Sequence, residues 1–317
     1  MKTILITGAA GFIGSSLADE LLGRGLRVVA FDNFNNYYDP AQKRENISAA
    51  AESPNYKLYA GDIENPHDLQ RVFAENKIDS VVHLGARAGV RPSLEDPISY
   101  VNTNIIGTMN VLEAMRAADV KKMVFASSSS VYGNCTADKF TEDIDVREPI
   151  SPYAMTKSAG EQLCYTYHAL YGMSVVALRF FTVYGPRQRP DLAIRKFAQK
   201  IRRDEAIEMF GDGSNMRDYT YIGDILSGII AAMDYDKAPF EIVNLAGGRP
   251  ITLRDMIFEI ENAMGKKAEI KQMPMQPGDV DKTIGDITKA ARLFGYAPKT
   301  SFADGVKKTI EWLDTKG

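Results

Sequence analysis

Tyr153 and Lys157, four positions apart in "SPYAMTK" (151–157), place a phenol and an ammonium on one face of any helix that spans them. Such groups can pass and stabilise protons when a reacting atom lies within reach. Ser151 is a good N-cap, Pro152 suits the first helical position, and helix-compatible residues continue to Tyr171. An aromatic and a lysine at this spacing also occur in many helices without chemical duty, so both readings stand at this point.

A second pattern binds rather than reacts. "TILITGAAGFIGSSLADELL" sets Gly8, Gly11 and Gly14 between an apolar run and an amphipathic stretch. Glycines there allow a tight turn, a close approach of backbone to pyrophosphate, and close packing of helix on strand, while the helix N-terminus offers amide donors. Asp32 in "VVAFDN" would accept hydrogen bonds from an adenosine ribose and repel a 2'-phosphate, which favours NAD over NADP. Asp62 and Ile63 in "AGDIEN" supply an acid and an apolar side chain suited to an adenine ring.

The elements that must position these groups are readable. Runs at 3–7, 27–31, 56–60, 80–84, 122–126 and 174–179 are short and rich in β-branched or aromatic residues. Amphipathic helical stretches separate most of them. The alternation predicts an α/β fold, a Rossmann-like doubly wound parallel sheet, and the continuous apolar strands fit a sheet covered on both faces. After about residue 185 the rhythm loosens, with prolines at 186, 190, 239, 250, 274, 277 and 298. This predicts a cofactor-binding domain over 1–185 that carries the catalytic residues, and a smaller, mainly substrate-binding lobe over 186–317, from which a strand such as "FEIVNLA" rejoins the main sheet.

Bulk properties narrow the partners. The chain has 317 residues, 45% of them hydrophobic, and a formal net charge of -3 from interspersed charges. No block of like charge suggests nucleic acid, and no stretch approaches a membrane span. "MKTILIT" is too short for a signal peptide, so a cytoplasmic protein with a small-molecule partner is expected. Cys135, Cys164, His67, His83 and His168 are scattered without ligand spacing, so neither a disulfide framework nor a metal site is expected.

With "GAAGFIG", the segments "FASSSSVYG" (125–133), "SPYAMTK" and "RFFTVYGPRQRPDLA" (179–193) resemble the extended short-chain dehydrogenase/reductase family, in its nucleotide-sugar epimerase branch. The resemblance covers essentially the whole chain. It implies that Tyr153 takes a proton from a sugar hydroxyl while hydride leaves the carbon for NAD, with Lys157 stabilising the phenolate and holding the nicotinamide ribose. Ser128 would hydrogen-bond the reacting oxygen, with Ser127, Ser129 and Ser130 as neighbours. The implied cofactor contacts further include Phe12, Ile13, Asn33, Leu84, Ala86, Ser127, Asn104 and Phe181.

A dehydratase of this family would carry an acid pair after the catalytic hydroxyl; here those positions are Ser129 and Ser130. Epimerisation at C4 through a 4-keto sugar that swings and is re-reduced, on tightly held NAD, fits better. "HLGARAGVRPSLEDPISYVNTNIIGT" and "FTVYGPRQRPDLA" look most like UDP-glucuronate 4-epimerases, which make UDP-galacturonate. In that group Thr182, with the serine hydroxyls, would bind the C5 carboxylate. Arg189 and Arg217 would hold the uridine diphosphate, and Arg87 and Arg91 lie at the cleft. Epimerases of UDP-galactose or UDP-N-acetylglucosamine, a UDP-glucuronate decarboxylase, and a non-catalytic NAD-binding scaffold are the alternatives. The resemblance also implies a homodimer through a four-helix bundle, from the helices near 98–118 and after Pro152; Ile106, Met109, Leu112 and Met115 fit either that seam or the core.

Overall fold

The structure is a computed structural model and describes residues 1–274 and 282–315. Pro277 lies outside the described residues. The strands in chain order are β1 Thr3–Thr7, β2 Arg27–Asp32, β3 Tyr56–Ala60, β4 Ser80–His83, β5 Lys122–Ser128, β6 Ser174–Phe180, β7 Thr182–Tyr184, β8 Ile207–Phe210, β9 Met216–Tyr221, β10 Phe240–Leu245, β11 Pro250–Thr252, β12 Ile270–Met273 and β13 Lys282–Thr283. Seven of them form a sheet in the order β10-β6-β5-β4-β1-β2-β3, with every pairing parallel. The six runs of the first half are all strands of this sheet, and "FEIVNLA" supplies its seventh, β10.

Both faces of the sheet are apolar, and the two-residue period of a strand divides them. Ile4, Ile6, Val28, Val82, Val124 and Val176 point into one core, shared with the helices Phe12–Gly23 and Ile222–Asp234. Their sequence neighbours Leu5, Val29, Val81, Met123 and Val175 point into the other, with Pro66–Glu75, Gly107–Ala117 and Pro152–Tyr171. Leu112 and Met115 belong to this second core and are fully buried, whereas Ile106 and Met109 remain exposed. The strand order reverses at β1, so the β1/β4 boundary is the switch point where ligands of such sheets collect, beyond the carboxyl ends of the strands.

A smaller layer closes over that edge. β9 is flanked by β11 and β13 and pairs with β7, while β8 pairs with β12. Its own core lies against the helices Ala193–Arg202, Leu253–Met264 and Phe302–Asp314. Because β7 begins two residues after β6 ends, the strand that carries Thr182 is fixed directly to the rim of the main sheet.

Candidate active site

The Pro152–Tyr171 helix forms for reasons present in its sequence. The Ser151 hydroxyl accepts from the Ala154 amide at 3.1 Å, Pro152 fills the first turn, and Gly172 ends the helix in the left-handed conformation at φ 65°. One turn then brings Lys157 beside Tyr153, its Nζ 6.0 Å from the phenol ring centroid. The Tyr153 ring is held edge-on by Tyr100, whose hydroxyl is anchored on the Ala88 carbonyl.

Lys157 is buried and donates to the Ala126 carbonyl at 2.7 Å. Burial pulls its ammonium down to about 8, with nearby Cys164 and Glu161 opposing the shift. Burial also raises the Tyr153 phenol above its ordinary value, while a hydrogen bond with Ser128 and the positive charge of Arg189 act against that rise. The phenol is thus poised between opposing effects and responds to any cation added nearby. Ser128, at the end of β5, accepts from the amide and the hydroxyl of Ser130, which fixes its oxygen at the mouth of the cleft.

The cleft has a volume of about 520 Å³ and runs along the carboxyl edge of the sheet, within the usual range for small-molecule sites. At one end Gly8, Gly11, Phe12, Ile13 and Gly14 line it. Gly8 has φ 68° and a Cβ there would lie 2.8 Å from the Gly85 amide nitrogen; a Cβ on Gly14 would overlap the Gly8 carbonyl oxygen. Only glycine permits this cradle. Each Asp32 oxygen accepts one amide, from Ala10 at 3.0 Å and Phe34 at 2.8 Å, leaving lone pairs toward the cleft that Asp32 also lines. The cradle, the helix N-terminus and this carboxylate fit a dinucleotide of the NAD type.

Asn33, Ile63, Leu84, Ala86, Ser127 and Phe181 line the same cavity, as do Arg87, Ser129, Ser130, Thr182, Arg189 and Arg217. Two residues expected at the cofactor do not line it. Asp62 lies at the rim, where it accepts from the Asn33 amide group at 2.8 Å. Asn104 is buried behind the wall in a π-helical turn, Asn102–Ile106. It accepts from the Arg87 amide at 2.8 Å and donates to the Arg87 carbonyl at 3.0 Å and the Thr156 hydroxyl at 2.9 Å. It clips the Arg87 loop to the helix of Tyr153. Ser127 reaches the cleft, but its hydroxyl points away and donates to Glu161 at 2.5 Å. Arg189 is paired with Asp191 at 2.8 Å and lies 5.2 Å from the Tyr37 ring centroid, while Arg91 lies outside the cavity, against the Phe210 ring.

Other lining residues were not singled out by sequence: Tyr37, Tyr38 and Lys43, all within "FDNFNNYYDPAQKREN". Lys43 is buried, bonded to Asn35 at 3.3 Å, and faces the same end of the cleft as Asp32; burial lowers its ammonium and Asp32 opposes this. The run as a whole has the look of the uronate epimerases in sequence, which is the signal that points to this segment although not to these three side chains. His83 is fully buried between Thr7 and Thr108, driven down to about 3 chiefly by burial, and is a neutral structural link. Among the described residues, no group of three His, Cys, Asp or Glu side chains could hold a metal ion, and no helix is long and apolar enough to cross a membrane.

A doubly wound sheet with this glycine cradle at its switch point, and a serine, a tyrosine and a lysine at its carboxyl edge, defines a protein of the short-chain dehydrogenase/reductase type. Residues 5–309 match the family described as GDP-mannose 4,6 dehydratase, and the chain belongs to it. It is 44% identical over 98% of its length to a UDP-glucuronate 4-epimerase of Thermodesulfobacterium geofontis, covering 96% of that protein. Its structure is similar to that of a Bacillus cereus UDP-glucuronic acid 4-epimerase in complex with UDP-glucuronic acid and NAD, with a TM-score of 0.93, 37% identity, and 99% and 100% of the two chains covered. A Thermotoga maritima UDP-glucose 4-epimerase with UDP-glucose is also similar, with a TM-score of 0.90, 33% identity and 99% of each chain covered.

Proposed function

We propose that this protein is an NAD-dependent isomerase that interconverts UDP-glucuronate and UDP-galacturonate by epimerisation at C4. The observation that carries the reading is the convergence of Ser128, Tyr153 and Lys157 on one cleft whose far end is the glycine cradle and Asp32. The similarity to two uronate epimerases supports the uronate over a neutral sugar. The serines at 129 and 130 speak against the dehydration in the family's name, since neither can act as the acid that expels water.

NAD, when bound, supplies the acceptor and donor of hydride. The chain's own residues do the rest. Gly8, Gly11 and Gly14 with the Phe12–Gly23 helix N-terminus, Asp32, Asn33, Ile63, Leu84, Ala86 and Phe181 would hold it, and Lys157 would grip its nicotinamide ribose. Tyr153 removes the proton from the C4 hydroxyl and returns it after the sugar has turned, with Ser128 directing the oxygen. Thr182, Ser129 and Ser130 hold the uronate carboxylate so that its C–C bond overlaps poorly with the adjacent carbonyl, which suppresses loss of CO2. Arg189 and Arg217 hold the diphosphate by bidentate hydrogen bonds, with Arg87 alongside. In this reading 1–185 is the cofactor and catalytic part and 186–317 mainly the nucleotide-sugar part.

The same reading makes the protein a cytoplasmic homodimer. Ile98, Ile106, Met109, Met155 and Leu170 are exposed apolar side chains on the two helical segments that would form the bundle, which supports pairing through that face. The experiment for the function is incubation of purified protein with UDP-glucuronate, no NAD added, followed by NMR. UDP-galacturonate supports the proposal, a pentose product supports decarboxylation, and no reaction directs attention to neutral sugars. Tyr153→Phe separates enzyme from scaffold, because an epimerase loses turnover while keeping NAD.

A further inference from the structure

Behind the cleft, Arg179 on β6 and Glu161 on the Pro152–Tyr171 helix form a fully enclosed ion pair, with exposures of 2% and 4%. Nε and Nη2 of Arg179 each donate to a different carboxylate oxygen of Glu161 at 2.8 Å. The Ser127 hydroxyl donates to Glu161 as well, at 2.5 Å, and Ser127 is the register partner of Arg179 across the β5/β6 ladder. The guanidinium lies 4.8 Å from the Tyr132 ring centroid, and its Nη1 donates to the Glu142 carbonyl. One carboxylate therefore ties together the strand that ends in Ser128, its neighbour, and the helix that carries Tyr153 and Lys157, one turn beyond Lys157.

Stability alone is a poor reason for such a pair, because burying two charges costs about as much as their attraction returns, and a well-packed apolar pair fills the space equally well. Direction is what the fork provides: two parallel hydrogen bonds and a third from Ser127 hold only one helix rotation and one helix height. We propose that Glu161 and Arg179, with Ser127, are positioning residues that set the helix of Tyr153 and Lys157 against the strand of Ser128 for the proton transfer. The proposal rests on the epimerase reading. Neither Glu161 nor Arg179 lines the cleft.

Three variants test it: Glu161→Gln, which keeps an acceptor for Ser127 but removes the charge; Arg179→Lys, which keeps charge without the fork; and the double variant Glu161→Leu with Arg179→Met, which packs without charge. The readouts are thermal midpoint, kcat and KM for UDP-glucuronate, and amide hydrogen exchange over 153–161. The double variant is expected to melt within about 5 °C of wild type. Its kcat should fall by about a hundredfold, the scale of a misplacement near 1 Å, with KM within about threefold. Exchange in the first turns of the helix should quicken. Arg179→Lys, which loses the fork, should lose turnover as the double variant does, while Glu161→Gln, which leaves a buried charge unpaired, should show the larger fall in thermal midpoint. Wild-type kcat in the double variant, or a loss confined to KM, would overturn the positioning role. If the wild type itself fails to turn over UDP-glucuronate, the epimerase reading fails separately, and unchanged exchange in the double variant then overturns the clamp.

Discussion

Replacing Lys157 by methionine tests the central electrostatic claim. The ammonium lies 6.0 Å from the Tyr153 ring centroid, within a buried and weakly screened environment. With an effective dielectric constant of about 20, a unit charge at that distance stabilises a phenolate by roughly 2.8 kcal/mol. Burial raises Tyr153, with Ser128 and Arg189 acting against that rise; the charge of Lys157 is the further contribution that the substitution isolates. Methionine preserves most of the stem volume, although the Ala126 carbonyl loses its donor. The expected result is a fall in kcat of about a hundredfold at neutral pH, recovered progressively as pH rises, with the acidic limb of the pH–rate profile displaced upward. The assay is UDP-galacturonate formation by NMR from pH 6 to about 10, at saturating substrate and with added NAD to compensate weaker retention. A uniform loss at every pH, with the limb unmoved, would refute the electrostatic role and leave Lys157 as a cofactor anchor only.

Three further outcomes follow from the geometry. Gly14→Ala forces a methyl into the Gly8 carbonyl, so the purified protein should lose bound NAD and melt several degrees lower, read from nucleotide released on denaturation and from calorimetry. Asp32→Asn keeps the size of the side chain but removes the charge that excludes a 2'-phosphate; affinity for NAD should drop about tenfold, from loss of charge-assisted hydrogen bonds, while NADP binding rises, measured by titration calorimetry. Asp218, buried under the amides of Gly247, Gly248 and Gly285, is raised to about 6 from 3.8 because burial outweighs those donors. A carboxyl raised on folding binds its proton more tightly in the native state, so its contribution falls as pH climbs from about 4 to about 6, by on the order of 3 kcal/mol. Asp218→Asn should flatten the thermal midpoint across that window relative to wild type.

Local periodicity and turn chemistry made much of the fold legible. The six early strands, the Ser151 cap, the glycine turn and the return of 240–245 to the main sheet all depend on neighbours in sequence or on simple alternation. What escaped the sequence depends on directions taken by side chains at long range. The hydroxyl of Ser127 turns toward Glu161, 34 residues away, and nothing within "SSSS" distinguishes it from Ser128. Asn104 stands behind the wall within a π-helical turn, and such a turn has no mark in "VNTNIIGT". Leu112 and Met115 separate from Ile106 and Met109 only once the helix has docked on the sheet. Lys43 comes to lie buried within reach of the Asp32 charge only once the segment after β2 has folded, which local spacing does not encode.

The return of β10 to the edge of β6 also governs how the protein can be made. Val175 to Phe180 pair along their whole length with Phe240 to Leu245, although strands and a helix of the smaller layer intervene in sequence. A fragment cut at 185 would therefore present the bare flank of an apolar strand and lack the Ile222–Asp234 helix that covers the core beneath it, an invitation to intermolecular pairing. During synthesis the nascent sheet remains open on that side until residue 245 has left the ribosome, so its last strand is added only after part of the smaller layer exists. The two portions cannot be harvested separately.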